Sequence, residues 1–330
     1  MPPKGLESRA EQLALIAELL HERRTSDEIG EHLAALDGSA SDPVEVTNIR
    51  EVRRTYERGV RVPPELMGRI ARVSAMAKAA WSEARRDSKF AAFAPHLKEL
   101  LSLKRETADL IGHDGDRYDA LLDEFEPGMK TSDVSELFAR LRESLTPFAR
   151  EIAAAPKQPD TSILHRHYPR AAQAAFARKL AEAIGFDFDC GRLDVSIHPF
   201  CTGTTPRDVR LTTRYNESFF SSAIFGTLHE AGHGVYEQGL DADHMFTPMG
   251  SAVSLGIHES QSRLWENMVG RSRAFWEHHY ASVAAMFPES LGDVSLDAFY
   301  GAINTAISAF ANRNDGETIT ARQGNRTFLK

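Results

Sequence analysis

The side chains best suited to chemistry lie in residues 226–234, which read GTLHEAGHG and contain the pattern H-E-x-x-H. On a helix, residues four apart differ by about 40° of rotation, so His229 and His233 share a face on which two imidazoles can hold one metal ion. Glu230 lies about 100° around from His229, where a carboxylate beside the ion can accept a proton from water. The alternative is an ordinary solvated helix face. A third metal-ligating side chain elsewhere in the sequence would favour the metal site over this alternative.

A third donor follows on the next predicted helix. A catalytic zinc site needs three protein ligands and one position open to water. Glu259 lies 30 residues after His229, in the sequence IHESQSRLW of residues 257–265. We therefore predict His229, His233 and Glu259 as the metal ligands. Zn²⁺ is the default ion, and Co²⁺ or Mn²⁺ can replace it because nitrogen and oxygen donors discriminate weakly among these ions.

Four motifs follow one another along the second half of the chain. They are H-P-F at 198–200, D-x-R-x-T at 208–212, H-E-x-x-H at 229–233 and H-E-S-Q at 258–261. In this order they closely resemble the Taq-type thermostable metallocarboxypeptidases, which are H-E-x-x-H zinc carboxypeptidases. The segments AAWSEAR at 79–85 and FAPHL at 93–97 resemble the N-terminal half of that family. The resemblance runs from about residue 6 to about residue 304.

The resemblance implies a mainly α, large helical metallopeptidase fold and a homodimer that removes C-terminal amino acids from peptides. It implies that water activated by the metal attacks the peptide bond, while Glu230 accepts the proton of the water and passes it to the leaving amine. His258 and Gln261 flank the ligand Glu259, so we expect them to orient the ligands.

Substrate contacts are predicted on the strands before the metal-binding helix. The candidates are His198, Asp208, Arg210 and Thr212. The histidine either contacts substrate near the metal, as H-P-F implies, or is a strand residue bonded to backbone. The other three share one face by the strand period of two. Asp208 and Arg210 either line the cleft, or brace one another, or form only a surface ion pair.

The hydrophobic pattern is helical along most of the chain and changes once. Helices are predicted at about 92–113, 132–154, 170–184, 218–239, 254–269, 272–286 and 296–310. Residues 193–197 and 209–213 alternate with a period of two, which predicts a small β-hairpin before the metal-binding helix, joined by the turn-rich residues 201–207. The hairpin edge either pairs with extended peptide substrate or only shapes the wall of a cleft.

The composition is that of a soluble globular protein. Hydrophobic residues make up 42% and charged residues 26%, and 39 basic against 47 acidic side chains leave a net charge of -8. Without a long basic run, nucleic acid is not an expected partner. We find no signal-peptide pattern and no membrane-spanning stretch, so we expect a cytoplasmic protein without a membrane partner, with Cys190 and Cys201 as reduced thiols.

We expect one helical metallopeptidase domain over residues 1–305, with N-terminal helices at 1–155, a hinge in the proline-rich loop 155–160, and a metal-site half at 160–305. Residues 306–330 depart from the family pattern and are expected to be a frayed tail. There Asn312 stands where the family has an arginine, and the later family motif G-x-x-Q-D-x-H-W is absent. We expect a domain incomplete at its C-terminus, through truncation or a frame shift.

Two classes of function follow from this departure, because the missing motifs would bind the substrate carboxylate and stabilise the oxyanion. The first is an active zinc carboxypeptidase acting on peptides. The second is a metal-binding but catalytically impaired relative that acts as a binding or structural protein.

Overall fold

Helices form most of the chain, as the apolar spacing predicts. The computed structural model describes residues 3–305, so the predicted tail and the end of the helix predicted at 296–310 lie outside the described residues. The α-helices are α1 (Leu6–Arg24), α2 (Asp27–Ala35), α3 (Pro43–Gly59), α4 (Pro64–Arg86), α5 (Phe90–Ile111), α6 (Arg117–Leu122), α7 (Thr131–Ala154), α8 (Arg170–Ala183), α9 (Phe220–Gln238), α10 (Leu255–Arg263), α11 (Arg273–Met286), α12 (Pro288–Leu291) and α13 (Leu296–Ile303). The strands are β1 (Gly191–Val195), β2 (Cys201–Thr205) and β3 (Asp208–Thr213), and a π-helix (Leu264–Val269) continues α10. Among residues 3–305, no helix combines the length and the apolar character needed to cross a membrane.

The first compact unit comprises residues 3–136 of the described chain. Helix α4 packs between α1 and α5. The main apolar cluster of this unit contains Val62, Leu66, Leu103, Ala108, Ile111 and Ala120. Arg54 and Arg58 of α3 both donate to the carboxylate of Asp123, at 2.7 and 2.9 Å, and thereby hold α3 against the end of α6.

The second compact unit begins at residue 137, inside α7, rather than at the proline-rich loop. The first turns of α7 belong with the first unit because the Thr131 amide donates to the Asp119 carboxylate at 2.7 Å. Along the 24 residues of α7 no side chain is buried.

The core of the second unit surrounds α9. Thirteen residues of this helix are buried, from Phe220 to Gly234, so the helix is covered on nearly all sides. Aromatic rings pack around its N-terminal half, with Phe220 5.5 Å from Phe299 and Phe225 6.3 Å from Trp276 between ring centroids. The burial explains why apolar residues and glycines surround the two histidines of this helix.

A small mixed sheet packs beside α9. Its strand order is β1-β3-β2, with β1 parallel to β3 and β2 antiparallel to β3. The mainly α fold with a hairpin before the helix of the two histidines is confirmed, but the pairing predicted for the hairpin was wrong. Residues 193–197 were expected to pair antiparallel with 209–213, whereas β1 is parallel to β3 and the hairpin is β2–β3.

The difference arises in the segment that was read only as a connection. Residues 201–205 read CTGTT, and this threonine-rich segment forms a strand with a bulge between Gly203 and Thr205. The central strand β3 buries Val209 and Leu211, while Thr213 bonds to Thr227 of α9 at 3.2 Å between hydroxyl oxygens. The sheet is thereby fixed against the helix that carries the two histidines.

Candidate metal centre

The three predicted ligands lie on two helices that cross closely. Helix α9 carries His229 and His233, and α10 carries Glu259. At the crossing, a Cβ on Gly232 would lie 2.8 Å from both the Gln261 carbonyl oxygen and the Ser262 Cα. Only glycine permits this approach, because real Cβ atoms do not come within 3.0 Å of such backbone atoms.

The donor atoms of these three side chains converge on one point. Glu259 Oε2 lies 3.4 Å from His233 Nε2 and 3.7 Å from His229 Nε2. Ligand bonds of about 2.0–2.2 Å at tetrahedral angles separate donors by roughly 3.3–3.6 Å, so this donor set fits a zinc-sized divalent ion. Both histidines are buried, and Glu230 between them in sequence is only 4% exposed. The Glu230 side chain is thus largely removed from water.

Arg263 positions the carboxylate of Glu259, the third predicted ligand. It lies one helical turn after Glu259, and its Nε donates to Glu259 Oε1 at 2.9 Å. Because Oε1 is engaged in this way, Oε2 is the oxygen directed at the two histidines. Sequence reasoning did not identify this arginine as part of the site, although its spacing of four from the predicted ligand is the signal that could have found it.

Glu266 is a second residue that sequence reasoning missed. Its Oε2 accepts a hydrogen bond from His229 Nδ1 at 2.8 Å and one from Arg263 at 3.3 Å. Burial raises the pKa of the Glu266 carboxyl, but the hydrogen bond and charge of His229 and the charges of Arg263 and Arg271 outweigh it, so the pKa lies below its ordinary value. The carboxylate form is therefore favoured, which fixes the ring of His229.

A different arrangement surrounds His233, the other predicted histidine ligand. His258 Nδ1 lies 2.5 Å from His233 Nδ1, and His258 Nε2 lies 2.6 Å from Glu237 Oε1. The structure thus places His258 beside a predicted ligand, and its orienting role stays a prediction. Within residues 3–305, the amide of Gln261 instead donates to Ser260 Oγ at 3.4 Å. What Gln261 contributes at the helix crossing is its backbone carbonyl beside Gly232.

The four candidates for substrate contact lie on or beside the sheet in different settings. His198 lies in the bend after β1, with Nδ1 2.7 Å from the carbonyl oxygen of Pro199. Asp208 and Arg210 form a two-bonded ion pair at 2.9 and 2.8 Å, with about half of each side chain exposed. Thr212 is buried, unlike Asp208 and Arg210, and its hydroxyl accepts from the Phe200 amide at 2.9 Å.

Comparison with known proteins gives the family. The model of the carboxypeptidase Taq (M32) metallopeptidases matches residues 1–318. The chain belongs to this family. Thermostable carboxypeptidase 1 of Thermus thermophilus is 46% identical over 333 residues, which cover 97% of this chain and 65% of that protein. Carboxypeptidase 1 of Bacillus subtilis is 36% identical over 311 residues, which cover 94% of this chain and 62% of that protein.

Solved structures of the family share the fold. The structure described as "BsuCP Crystal Structure" superposes with a TM-score of 0.89 at 35% identity, covering 92% of this chain and 62% of that one. The Pyrococcus furiosus carboxypeptidase structure gives a TM-score of 0.81 at 34% identity, with the same coverage of 92% and 62%. The chain therefore spans slightly less than two thirds of the length of these relatives.

Proposed function

We propose that this protein is a zinc-dependent metallocarboxypeptidase that removes C-terminal amino acids from peptides. The observation that carries the proposal is the convergence of His229 Nε2, His233 Nε2 and Glu259 Oε2, with Glu230, the next residue after His229, buried on the same helix. Membership of a metallopeptidase family supports a divalent ion at this group. The nitrogen-rich donor set favours zinc, and it would also accept cobalt or manganese.

The roles of the side chains follow from their positions. His229, His233 and Glu259 would hold the ion, which when bound would lower the pKa of water and polarise the peptide carbonyl. Glu230 accepts a proton from the attacking water and delivers it to the leaving amine nitrogen. Arg263 keeps one oxygen of Glu259 directed at the histidines, so the ligand set needs little rearrangement to bind.

The proposal is tested by measuring zinc content and the hydrolysis of an N-blocked dipeptide on the same preparations. Glu230→Gln keeps the shape of the side chain but cannot act as a base, so we expect unchanged zinc and a rate lower by about 10²–10⁴. His233→Ala should lose zinc. Glu182→Gln, which removes an exposed carboxylate paired with Arg178 on α8, is the control and should match the wild type.

Each outcome has a distinct meaning. Full activity in Glu230→Gln would contradict the mechanism, and full zinc in His233→Ala would contradict the ligand assignment. A wild-type protein with about one zinc per chain but without hydrolysis would favour the impaired, metal-binding relative. In that case the site would bind the ion without completing the reaction.

A further inference from the structure

The two histidines of the centre are held by different partners, and their hydrogens can be assigned from the ligand geometry. Each presents Nε2 to the centre, so each Nδ1 carries the ring hydrogen when a metal is bound. For His229 that hydrogen goes directly to the carboxylate of Glu266, at 2.8 Å. For His233 it goes to another imidazole, that of His258, at 2.5 Å.

This assignment fixes the state of His258. Because its Nδ1 must accept the hydrogen of His233, its own hydrogen lies on Nε2 and is donated to Glu237 Oε1 at 2.6 Å. The side chains of His258 and Glu237 are 17% and 21% exposed, so water competes little for these bonds. The other oxygen of Glu237 faces Gly203 of β2, at 3.1 Å from where a Cβ would stand.

We propose that Glu237 and His258 form a relay that positions His233 for metal binding, in parallel with the direct contact between Glu266 and His229. The inference rests on the proposed function, since it requires that this site binds a divalent ion. Glu237 and His258 are positioning residues, because they act on the metal only through the ring of His233. Neutral His258 passes on the orienting effect of the Glu237 carboxylate. It also keeps the negative charge of Glu237 one side chain away from His233.

A relay differs from two independent contacts in how its members combine. Once His258 is removed, Glu237 no longer has a route to His233, so its own loss should have no further effect on the metal. Residues that act as one unit are non-additive in this way, whereas independent residues are additive. Glu266 acts on the other histidine, His229. The fold-weakening of zinc binding caused by losing Glu266 should therefore multiply with that caused by losing His258.

The test is a double-mutant cycle read as the zinc dissociation constant, measured by competition with a chelator. We expect His258→Ala to weaken zinc binding about 10–100-fold, as is typical when a partner of a ligand is removed. Glu237→Ala should also weaken it, and the double variant should match His258→Ala within about twofold. Gln238→Ala is the control, because this neighbour on α9 bonds to Asp187 and should leave zinc affinity unchanged.

Two results would overturn the relay. One is a double variant whose zinc affinity falls by the product of the two fold-changes seen in the single variants. The other is Glu237→Ala indistinguishable from Gln238→Ala in zinc affinity. If His258→Ala does not fold, a Glu237→Ala protein that binds zinc as tightly as Gln238→Ala still overturns the relay. A wild type that binds no zinc would overturn the proposed function and the relay together, whereas unaffected variants of a zinc-binding wild type would overturn the relay alone.

Discussion

At the scale of residues, two arginine–aspartate pairs on neighbouring strands have the same two-bonded geometry. Arg210 donates two hydrogen bonds to Asp208 on β3, and Arg192 does the same to Asp194 on β1. The two arginines are aligned across the parallel strands. Exposed ion pairs of this kind contribute at most about 1 kcal/mol to stability, so any larger effect would have to come from substrate.

Arg210→Ala is predicted to impair hydrolysis while leaving zinc content unchanged. A charge-assisted hydrogen bond from Arg210 to a peptide carboxylate or carbonyl would contribute roughly 1.5–3 kcal/mol, or about 10–100-fold in kcat/KM. Arg192→Ala removes the equivalent pair from the edge strand β1 and is the control. Equal kinetics and equal unfolding temperatures for the two variants would show that Arg210 forms only a surface ion pair with Asp208 and does not bind substrate.

Some residues of the site could be predicted from spacing and others could not. His229, His233 and Glu259 follow from a period of four on one helix and a carboxylate on the next, which local geometry is enough to connect. Glu266 and Glu237 could not be identified in this way, because their roles depend on how α9 crosses the segment after Leu255. That crossing is a tertiary contact, and no pattern within either helix states which carboxylates it brings to the histidines.

At the scale of elements, the close approach of α9 and α10 depends on one side chain being absent. Gly232→Ala would place a methyl group 2.8 Å from the backbone of Gln261 and Ser262, so the helices must separate. We expect a loss of about 1–3 kcal/mol in the free energy of unfolding, as for other overpacked sites, together with weaker zinc binding because Glu259 moves with α10. Chemical denaturation and zinc competition measure both.

Gly239→Ala is the control for this prediction. It adds the same methyl group at the end of the same helix, where the nearest atom is the Val235 carbonyl oxygen at 3.2 Å and α10 is not among the close neighbours. We expect near wild-type zinc affinity for it. A Gly232→Ala protein that binds zinc as tightly as Gly239→Ala would show that the crossing can widen without displacing Glu259.

The hydrophobic periodicity predicted the positions of the helices more accurately than the pairing of the strands. The helices predicted at 92–113, 170–184 and 218–239 lie within about two residues of α5, α8 and α9. The strand pairing was missed because CTGTT carries few apolar residues and therefore no alternation. A short edge strand of this composition is recognised only by the hydrogen bonds that β3 provides.

At the scale of the whole molecule, α7 presents an apolar face without burying any side chain. The face consists of Leu137, Phe138, Leu141, Leu145 and Phe148, whose side chains are between 44% and 59% exposed. Amphipathic helices of this length are normally stabilised by packing of the apolar face. Contiguous exposed apolar surface of this kind promotes association between molecules. The homodimer that the sequence suggested remains a prediction, and this face makes it testable.

We predict that the protein self-associates through α7 and that Phe148→Ser weakens this association. Replacing an exposed aromatic ring reduces the apolar area available for contact between copies. Sedimentation at several protein concentrations would measure the effect. Glu143→Ser, on the opposite face of the same helix, is the control and should associate like the wild type. Identical sedimentation of the two variants would exclude this face as the cause.

The π-helix after α10 has a consequence for the kinds of mutation that this site tolerates. Each residue of an α-helix adds about 100° of rotation, whereas the wider π turn adds less, so the six residues from Leu264 to Val269 set the direction of everything after them. Deleting Leu264 or Trp265 would turn Glu266 away from His229 without replacing either of these two residues. We therefore expect insertions and deletions before Glu266 to impair the site more than single substitutions on the exposed side of this segment.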